Sequence, residues 1–425
     1  MKRPLPAIIL VVGILRRLRC LSEGDKPKGL VCSDGASLAV PSDYERIQPI
    51  LDRITMNEGN TPIFPSVDID GLFFKDETRN PTGSFRDRAA PPSIADLSSR
   101  NIRRIVVSGD GNTCASYAAY SARARIKCTA VMPEDSDPVK VEQVRSYGCQ
   151  VFLRGSTMDD THLKAREYAG STGWTHVRID MDPYALSGLV SLGEEIADSI
   201  GRYGFQAVVV PVGSGATLSA VYTAFKARRV RGVRLIGVQA GEGSYASLFT
   251  GFHGESLNIH YSIRYLQPPL LMASYRATLA TGGWGVGVPL HRVFDESINL
   301  SEREGVFAEP AAVASYVVAR ELASVKGWKV LAVVTSTGLK TVSPRSRSFI
   351  GETKLEILRV LKEHGRLHGY LIWKILNTRV SPQAVYSSLR WLEERGLVSS
   401  SSDGRKRVYQ ITVDGLRALE IISGQ

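Results

Sequence analysis

The sequence predicts an α/β protein with a small winged-helix domain at its C-terminal end, and three observations carry that prediction. From about Phe73 to Lys340, short β-branched runs alternate with longer amphipathic stretches, the pattern of a parallel sheet covered by helices. After Lys340 the texture changes abruptly to a polar, proline-containing stretch and then to short helical segments. A basic hairpin pattern follows the last of these.

The strand candidates come in order. "RRIVVSG" (Arg103 to Gly109), "KCTAVMP" (Lys127 to Pro133), "CQVFL" (Cys149 to Leu153), "AVVVPVG" (Ala207 to Gly213), "RLIGVQ" (Arg234 to Gln239) and "VLAVVTS" (Val330 to Ser336) read as buried strands. Between them, "TCASYAAYSARAR" (Thr113 to Arg125) and "PAAVASYVVARELASV" (Pro310 to Val325) have helical composition and period. "TVSPRSRS" (Thr341 to Ser348) has no period, so residues 341–350 read as a linker. Beyond it, Leu355, Leu358 and Leu361 fall on one helical face, and "GYLIWKIL" (Gly369 to Leu376) suggests a second helix. "SPQAVYSSLRWLEERG" (Ser381 to Gly396) is a third, with a serine N-cap, Pro382 at its first position and Gly396 as its stop. "LVSSSSDGRKRVYQIT" (Leu397 to Thr412) reads as a hairpin with Asp403-Gly404 at its tip, which completes a winged helix over residues 351–425.

A chain of 425 residues has room for two or three domains, and 43% apolar with 22% charged residues is a soluble, globular balance. The net charge of +11 and pI near 9.4 suggest a polyanionic partner. Its location sharpens this: from Pro344 to Gln425 there are 14 Lys plus Arg and 8 Asp plus Glu, a difference of +6. Five widely spaced cysteines, an odd number, argue against a disulfide framework and for a reducing cytoplasm. Near the N-terminus, Lys2 and Arg3 precede an apolar run from Ala7 to Leu15 that is too short to span a bilayer. Arg16 and Arg17 follow it in place of a cleavage site, so the run reads as a buried strand or a ragged start of translation, with a signal peptide as the lesser alternative, and no membrane partner is expected.

Several segments resemble the threonine synthase family, pyridoxal-phosphate enzymes of the two-lobed tryptophan synthase β-like fold. "NEGNTPI" (Asn57 to Ile63), "FKDETRNPTGSFRDR" (Phe74 to Arg88), "SGDGNTCAS" (Ser108 to Ser116), "VVPVGSGAT" (Val209 to Thr217), "EGVFAEPAAVA" (Glu304 to Ala314) and "TSTGLK" (Thr335 to Lys340) follow the family's motif order. The resemblance implies a threonine synthase-like domain over 56–340. It also makes residues 1–55 a degenerate form of the family's cysteine-rich ribbon, in which Cys20 and Cys32 alone remain and no metal is expected.

The resemblance places the family's aldimine-forming lysine at Arg86. A guanidinium, with a pKa above about 12, cannot lose its proton and condense with an aldehyde, so no catalytic residue is expected to be intact. Pyridoxal phosphate is therefore expected without a covalent bond at most. Asn112 matches the residue that bonds the cofactor's ring oxygen, and Thr335 the one facing its pyridine nitrogen. Gly213, Ser214, Gly215, Ala216 and Thr217 match a phosphate cradle, where amides between a strand and a helix collect an anion. The substrate-carboxylate loop corresponds to Ser108, Asp110 and Thr113, with Asp110 adding negative charge where a carboxylate would dock and Cys114 replacing a glycine.

The tail, from about Glu352 to Ile422, is similar to PadR-like winged-helix regulators through "LHGYLIWKIL" (Leu367 to Leu376), "VSPQAVYSSLRWLEERGLV" (Val380 to Val398) and "GRKRVYQITVDGLRAL" (Gly404 to Leu419). With Val385, Leu389 and Leu392 facing the core, Gln383, Tyr386, Ser387 and Arg390 lie outward and could reach base edges in a major groove. Arg405, Lys406 and Arg407 on the wing would meet phosphates.

Together these readings describe a homodimeric, ligand-responsive regulator of transcription that binds double-stranded DNA. Its threonine synthase-like domain is a pseudoenzyme that senses an amino acid, a phosphorylated metabolite or pyridoxal phosphate. The alternative is an active pyridoxal-phosphate-dependent threonine synthase or related lyase with a DNA-binding tail, another lysine such as Lys75 or Lys340 serving.

Overall fold

The computed structural model describes residues 30–241, 243–250, 265, 268–341, 352–376, 381–394, 396–403 and 406–423. Strands are β1 (Ile63–Pro65), β2 (Leu72–Asp76), β3 (Arg104–Ser108), β4 (Lys127–Met132), β5 (Gln150–Leu153), β6 (Thr175–Val177), β7 (Ala207–Pro211), β8 (Arg234–Ala240), β9 (Gly285–Val288), β10 (Val330–Val334), β11 (Leu367–His368), β12 (Val398–Asp403) and β13 (Lys406–Ile411). One sheet has six strands in the order β1-β2-β10-β7-β8-β9, and a second has four, β5-β4-β3-β6. All pairs in these two sheets are parallel except β1 with β2.

The α/β expectation is met, and the physical reason is burial on both faces. Every residue of β10 is fully buried, as are Ala207 to Val210 of β7, so these strands are unbroken apolar runs rather than alternating ones. Helices cover them. Pro310–Lys326 begins with a proline at its first position and ends on Gly327 in the left-handed conformation. Gly111–Arg123 is capped by Asp110, whose side chain accepts from the Thr113 amide.

The C-terminal domain forms the third sheet, β11-β13-β12, with the helices Glu352–His364, Gly369–Ile375 and Pro382–Glu394. Leu355, Leu358, Leu361, Val385, Leu389 and Leu392 build its core. The Ser381 hydroxyl caps the third helix by accepting from the Ala384 amide at 3.2 Å. The hairpin pairs Asp403 with Lys406, and Gly404 at its expected tip lies outside the described residues. So do the Ala7 to Leu15 run, Cys20 and the linker from 342 onward. Cys32 is disulfide-bonded, which an odd count of scattered cysteines did not anticipate, while Cys114, Cys128 and Cys149 are free and buried.

A buried ionic cluster sits beside β2. Arg88 donates to Glu77 at 2.7 and 2.8 Å and to Glu195 at 2.7 and 2.9 Å, and Lys75 reaches Glu195 at 2.5 Å. Burial pushes the Glu195 carboxyl up, but Arg88 and Lys75 outweigh it and bring it down to about 2. Arg88→Met should therefore cost about 3–5 kcal/mol in urea unfolding, because it strands two carboxylates beside one lysine.

Candidate functional site

The C-terminal ends of β7 and β10, the start of the Gly111–Arg123 helix and the turn Phe85–Arg88 enclose one cavity of about 30 Å³. Phe85, Arg86, Asp110, Asn112, Gly213, Ser214, Gly215, Ala216, Thr217, Glu309 and Thr335 line it. The arrangement follows from local structure. Phe85 N–H donates to the Thr335 carbonyl at 2.9 Å, which sets Arg86 beside the end of β10.

β7 ends at Pro211, and the Gly213-Ser214-Gly215 turn leads into the helix Ala216–Ala227. Gly215 has φ of +90°, and a Cβ there would sit 2.4 Å from the Leu270 carbonyl oxygen, so the turn requires glycine. Ser219 N–H bonds the Gly215 carbonyl at 3.1 Å, and the amides of Thr217 and Leu218 before it have no carbonyl within the helix. The positive end of the helix thus faces the cavity.

Across from it, the Arg86 guanidinium lies 4.5 Å from the Phe85 ring centroid. Its Nε and Nη1 are buried without a hydrogen-bond partner. Each such donor costs about 1–3 kcal/mol while it stays unmet.

The remaining wall is a connected polar network. Glu309 accepts from Asn112 Nδ2 at 2.7 Å, from Lys140 Nζ at 2.5 Å and from the Ser336 hydroxyl. Lys340 Nζ donates to Asn112 Oδ1 at 3.0 Å. Burial pulls the Lys340 amine down to about 8, against the attraction of Asp87, and burial likewise pushes the Asp87 carboxyl up. In so dry a place both groups move toward their neutral forms.

Ser108 and Thr113 do not line this cavity. Ser108 Oγ is held between His162 Nδ1 at 2.7 Å and His176 Nε2 at 2.8 Å, and burial lowers both imidazoles to about 4. Thr113 is folded back on Asp110, accepting nothing from the cavity: its N–H and hydroxyl donate to Asp110 Oδ1 at 3.0 and 2.5 Å. Cys114 packs inward with its Sγ 3.6 Å from the Gly109 carbonyl oxygen. Glu309 and Lys140 were not among the sequence-derived site residues. The one local signal was position, since each stands at or near a proline that opens a helix, Pro310 and Pro138.

On the winged helix, Gln383, Tyr386, Ser387 and Arg390 are exposed while Val385, Leu389 and Leu392 are fully buried. Tyr386 lies over the start of the Gly369–Ile375 helix, where a Cβ on Gly369 would meet its ring at 2.5 Å. Arg407 is already engaged. It donates to Glu393 at 2.8 and 2.9 Å and to Ser400 Oγ at 2.8 Å, so the wing is tied to the Pro382–Glu394 helix. Arg405 lies outside the described residues, and Lys406 begins β13.

The lowered amine makes a measurable prediction. An unfolded lysine stays protonated up to about 10.5 and the folded Lys340 only to about 8, so the unfolded state binds the extra proton between these values. Stability should rise through that window by up to about 3 kcal/mol, and Lys340→Met should remove the rise when urea unfolding is followed against pH.

Residues 54–336 match the pyridoxal-phosphate dependent enzyme family, and residues 357–421 match the transcriptional regulator PadR-like family. The threonine synthase of Halalkalibacterium halodurans is 30% identical over 319 residues, covering 70% of this chain and 88% of its own. That of Methanocaldococcus jannaschii is 25% identical over 390 residues, covering 78% and 95%. Among solved structures, O-ureido-L-serine synthase superposes with a TM-score of 0.59 at 24% identity over 68% of this chain and 92% of its own. Threonine deaminase isoform 2 from Solanum lycopersicum gives 0.57 at 20% identity over 75% and 91%, and these two likenesses speak to the fold alone. Among the described residues no helix is long and apolar enough to cross a membrane, and no cluster of His, Cys, Asp or Glu could hold a metal ion. With the greater part of its length inside the first match and threonine synthases among its relatives, the chain belongs to the pyridoxal-phosphate dependent enzyme family and carries a PadR-like domain at its C-terminal end.

Proposed function

We propose that the chain is a ligand-responsive, DNA-binding regulator of transcription, built on a threonine synthase-like domain that has lost its covalent hold on pyridoxal phosphate. Membership in the family implies a site for that cofactor, and one end of the pocket suits it. The Gly213 to Thr217 turn at a helix N-terminus fits a phosphate, with Thr335 and Asn112 on the same walls. The other end does not fit. Arg86, at the position that the resemblance assigns to the imine-forming lysine, faces the cavity, and a guanidinium does not condense with an aldehyde.

The observation that carries the reading is Arg86 itself. A guanidinium lining the pocket suits pairing with an anion, not amine chemistry. The PadR-like domain supplies the output, and its four exposed helix residues and basic balance favour DNA. The two sheets that flank the pocket give a ligand two bodies to draw together, which is the element such coupling needs. A homodimer acting on palindromic sites in the cytoplasm completes the reading.

Lys340 favours a second reading, in which the chain is a working pyridoxal-phosphate enzyme. Its amine, lowered to about 8 and 3.0 Å from Asn112, has the chemistry of an imine-forming group, although it does not line the cavity.

Fluorescence anisotropy against genomic fragments should find duplex DNA bound specifically and more weakly as salt rises. Arg390→Ala should lower that affinity about tenfold with the fold intact. If no fragment binds better than a scrambled duplex, the regulator reading fails. Reduction with borohydride after adding pyridoxal phosphate should label no lysine in the pocket, whereas a label mapped to Lys340 would establish the enzyme.

A further inference from the structure

We infer that Cys128 and Cys149 form an oxidation site, a dithiol that a peroxide converts into a disulfide joining β4 to β5. Cys128 lies near the start of β4, and Cys149 immediately precedes β5. These strands run parallel to β3, beyond whose end Asp110 lines the cavity, so the pair sits at the opposite end of the four-stranded sheet from the pocket.

The sheet brings the two thiols together. Thr129 pairs with Gln150, which sets the residue before each, Cys128 and Cys149, side by side on neighbouring strands. Both side chains join the same apolar cluster as Ala130 and Met132, so they project from one face. Their sulfurs are 2.7 Å apart, and a disulfide holds its sulfurs at about 2.05 Å, so roughly 0.65 Å remains to be closed. Cys114, another buried free thiol, stands apart from the pair, its Sγ facing the Gly109 carbonyl oxygen.

An oxidant reaches one sulfur of the pair before the other. A surface groove of about 450 Å³, bordered by Arg125, Lys127, Tyr147 and Trp174, has Cys128 in its lining but neither Cys149 nor Cys114. Cys128 is therefore the attacking residue and Cys149 the resolving one. Burial and the adjoining Cys149 push the Cys128 thiol up, which keeps it mostly protonated and makes the first step slow.

The atoms balance in two steps. The Cys128 thiolate attacks hydrogen peroxide: an S–O bond forms, the O–O bond breaks, and the departing hydroxide takes the proton that the thiol gave up. The Cys149 sulfur then displaces hydroxyl from the resulting sulfenic acid: the S–S bond forms, the S–O bond breaks, and the second thiol proton leaves with the hydroxyl as water. Two thiols are oxidised and one peroxide becomes two waters. The loop so closed contains the Pro138–Ser146 helix, and with it Lys140, whose bond to Glu309 holds the pocket wall.

Peptide mapping of the full-length chain tests this. After excess hydrogen peroxide, quenching and alkylation in denaturant, Cys128 and Cys149 should be recovered in one linked peptide pair lighter by two hydrogens, with Cys114 alkylated. Dithiothreitol should restore both thiols. The linked chain should melt about 5 °C higher than the reduced one, since the bond spans 21 positions. Cys149→Ala should stop at a sulfenic acid on Cys128, which dimedone traps, and Cys128→Ala should leave Cys149 unoxidised. In the unaltered chain, a link through Cys114, a sulfinic acid at Cys128 without a link, or both thiols still free after treatment would each overturn the inference.

Discussion

Glu309 is the side chain on which the pocket depends. It stands at the start of the Pro310–Lys326 helix, which packs on the six-stranded sheet. Two of its partners, Asn112 and Lys140, come from helices that pack on the four-stranded sheet, and the third, Ser336, follows β10. One carboxylate thereby joins the two sheets where their strand ends meet. All of these groups are out of water, and a buried charge is tolerable only when it is paired and bonded. That requirement fixes the wall more firmly than apolar packing alone would.

The same dryness explains why the network behind the pocket wall has two kinds of lysine. Lys140 has a carboxylate at bonding distance, whereas Lys340 has the neutral Asn112 amide for a partner and shifts toward its uncharged form. Arg86 brings a guanidinium to the same wall as the carboxylates of Asp110 and Glu309. The unmet donors of Arg86 are the least comfortable feature of the wall.

Apart from the partly exposed β5, the central strands were legible as apolar runs buried on both faces; β3, β4, β5, β7 and β10 fall within the stretches read from the sequence, and β8 runs one residue past its stretch, to Ala240. β2 was less so, since Lys75 and Asp76 make it look polar; both are buried, and Lys75 is matched by Glu195 far along the chain. β6 and β9 are three and four residues long, too short to show a period. In the winged helix, the spacing of Val385, Leu389 and Leu392 was enough to divide buried from exposed residues. At the site, glycines and an out-of-place arginine are visible locally. The meeting of Lys140 with Glu309 spans 169 residues and leaves no local mark. Ser108 illustrates the same limit: two histidines that belong to no motif hold its hydroxyl away from the cavity.

The bond between Arg407 and Glu393 has a consequence for how a duplex would be read. By clamping the wing to the exposed helix, it sets the distance and angle between two surfaces that a grooved partner must satisfy together. On the proposed DNA-binding reading, the outward side acts as one linked surface rather than a pair of independent fingers. A duplex whose groove already matches that surface binds without strain, and one that does not must be bent or compressed to fit. Base pairs that no side chain touches would thereby contribute to selectivity through their stiffness.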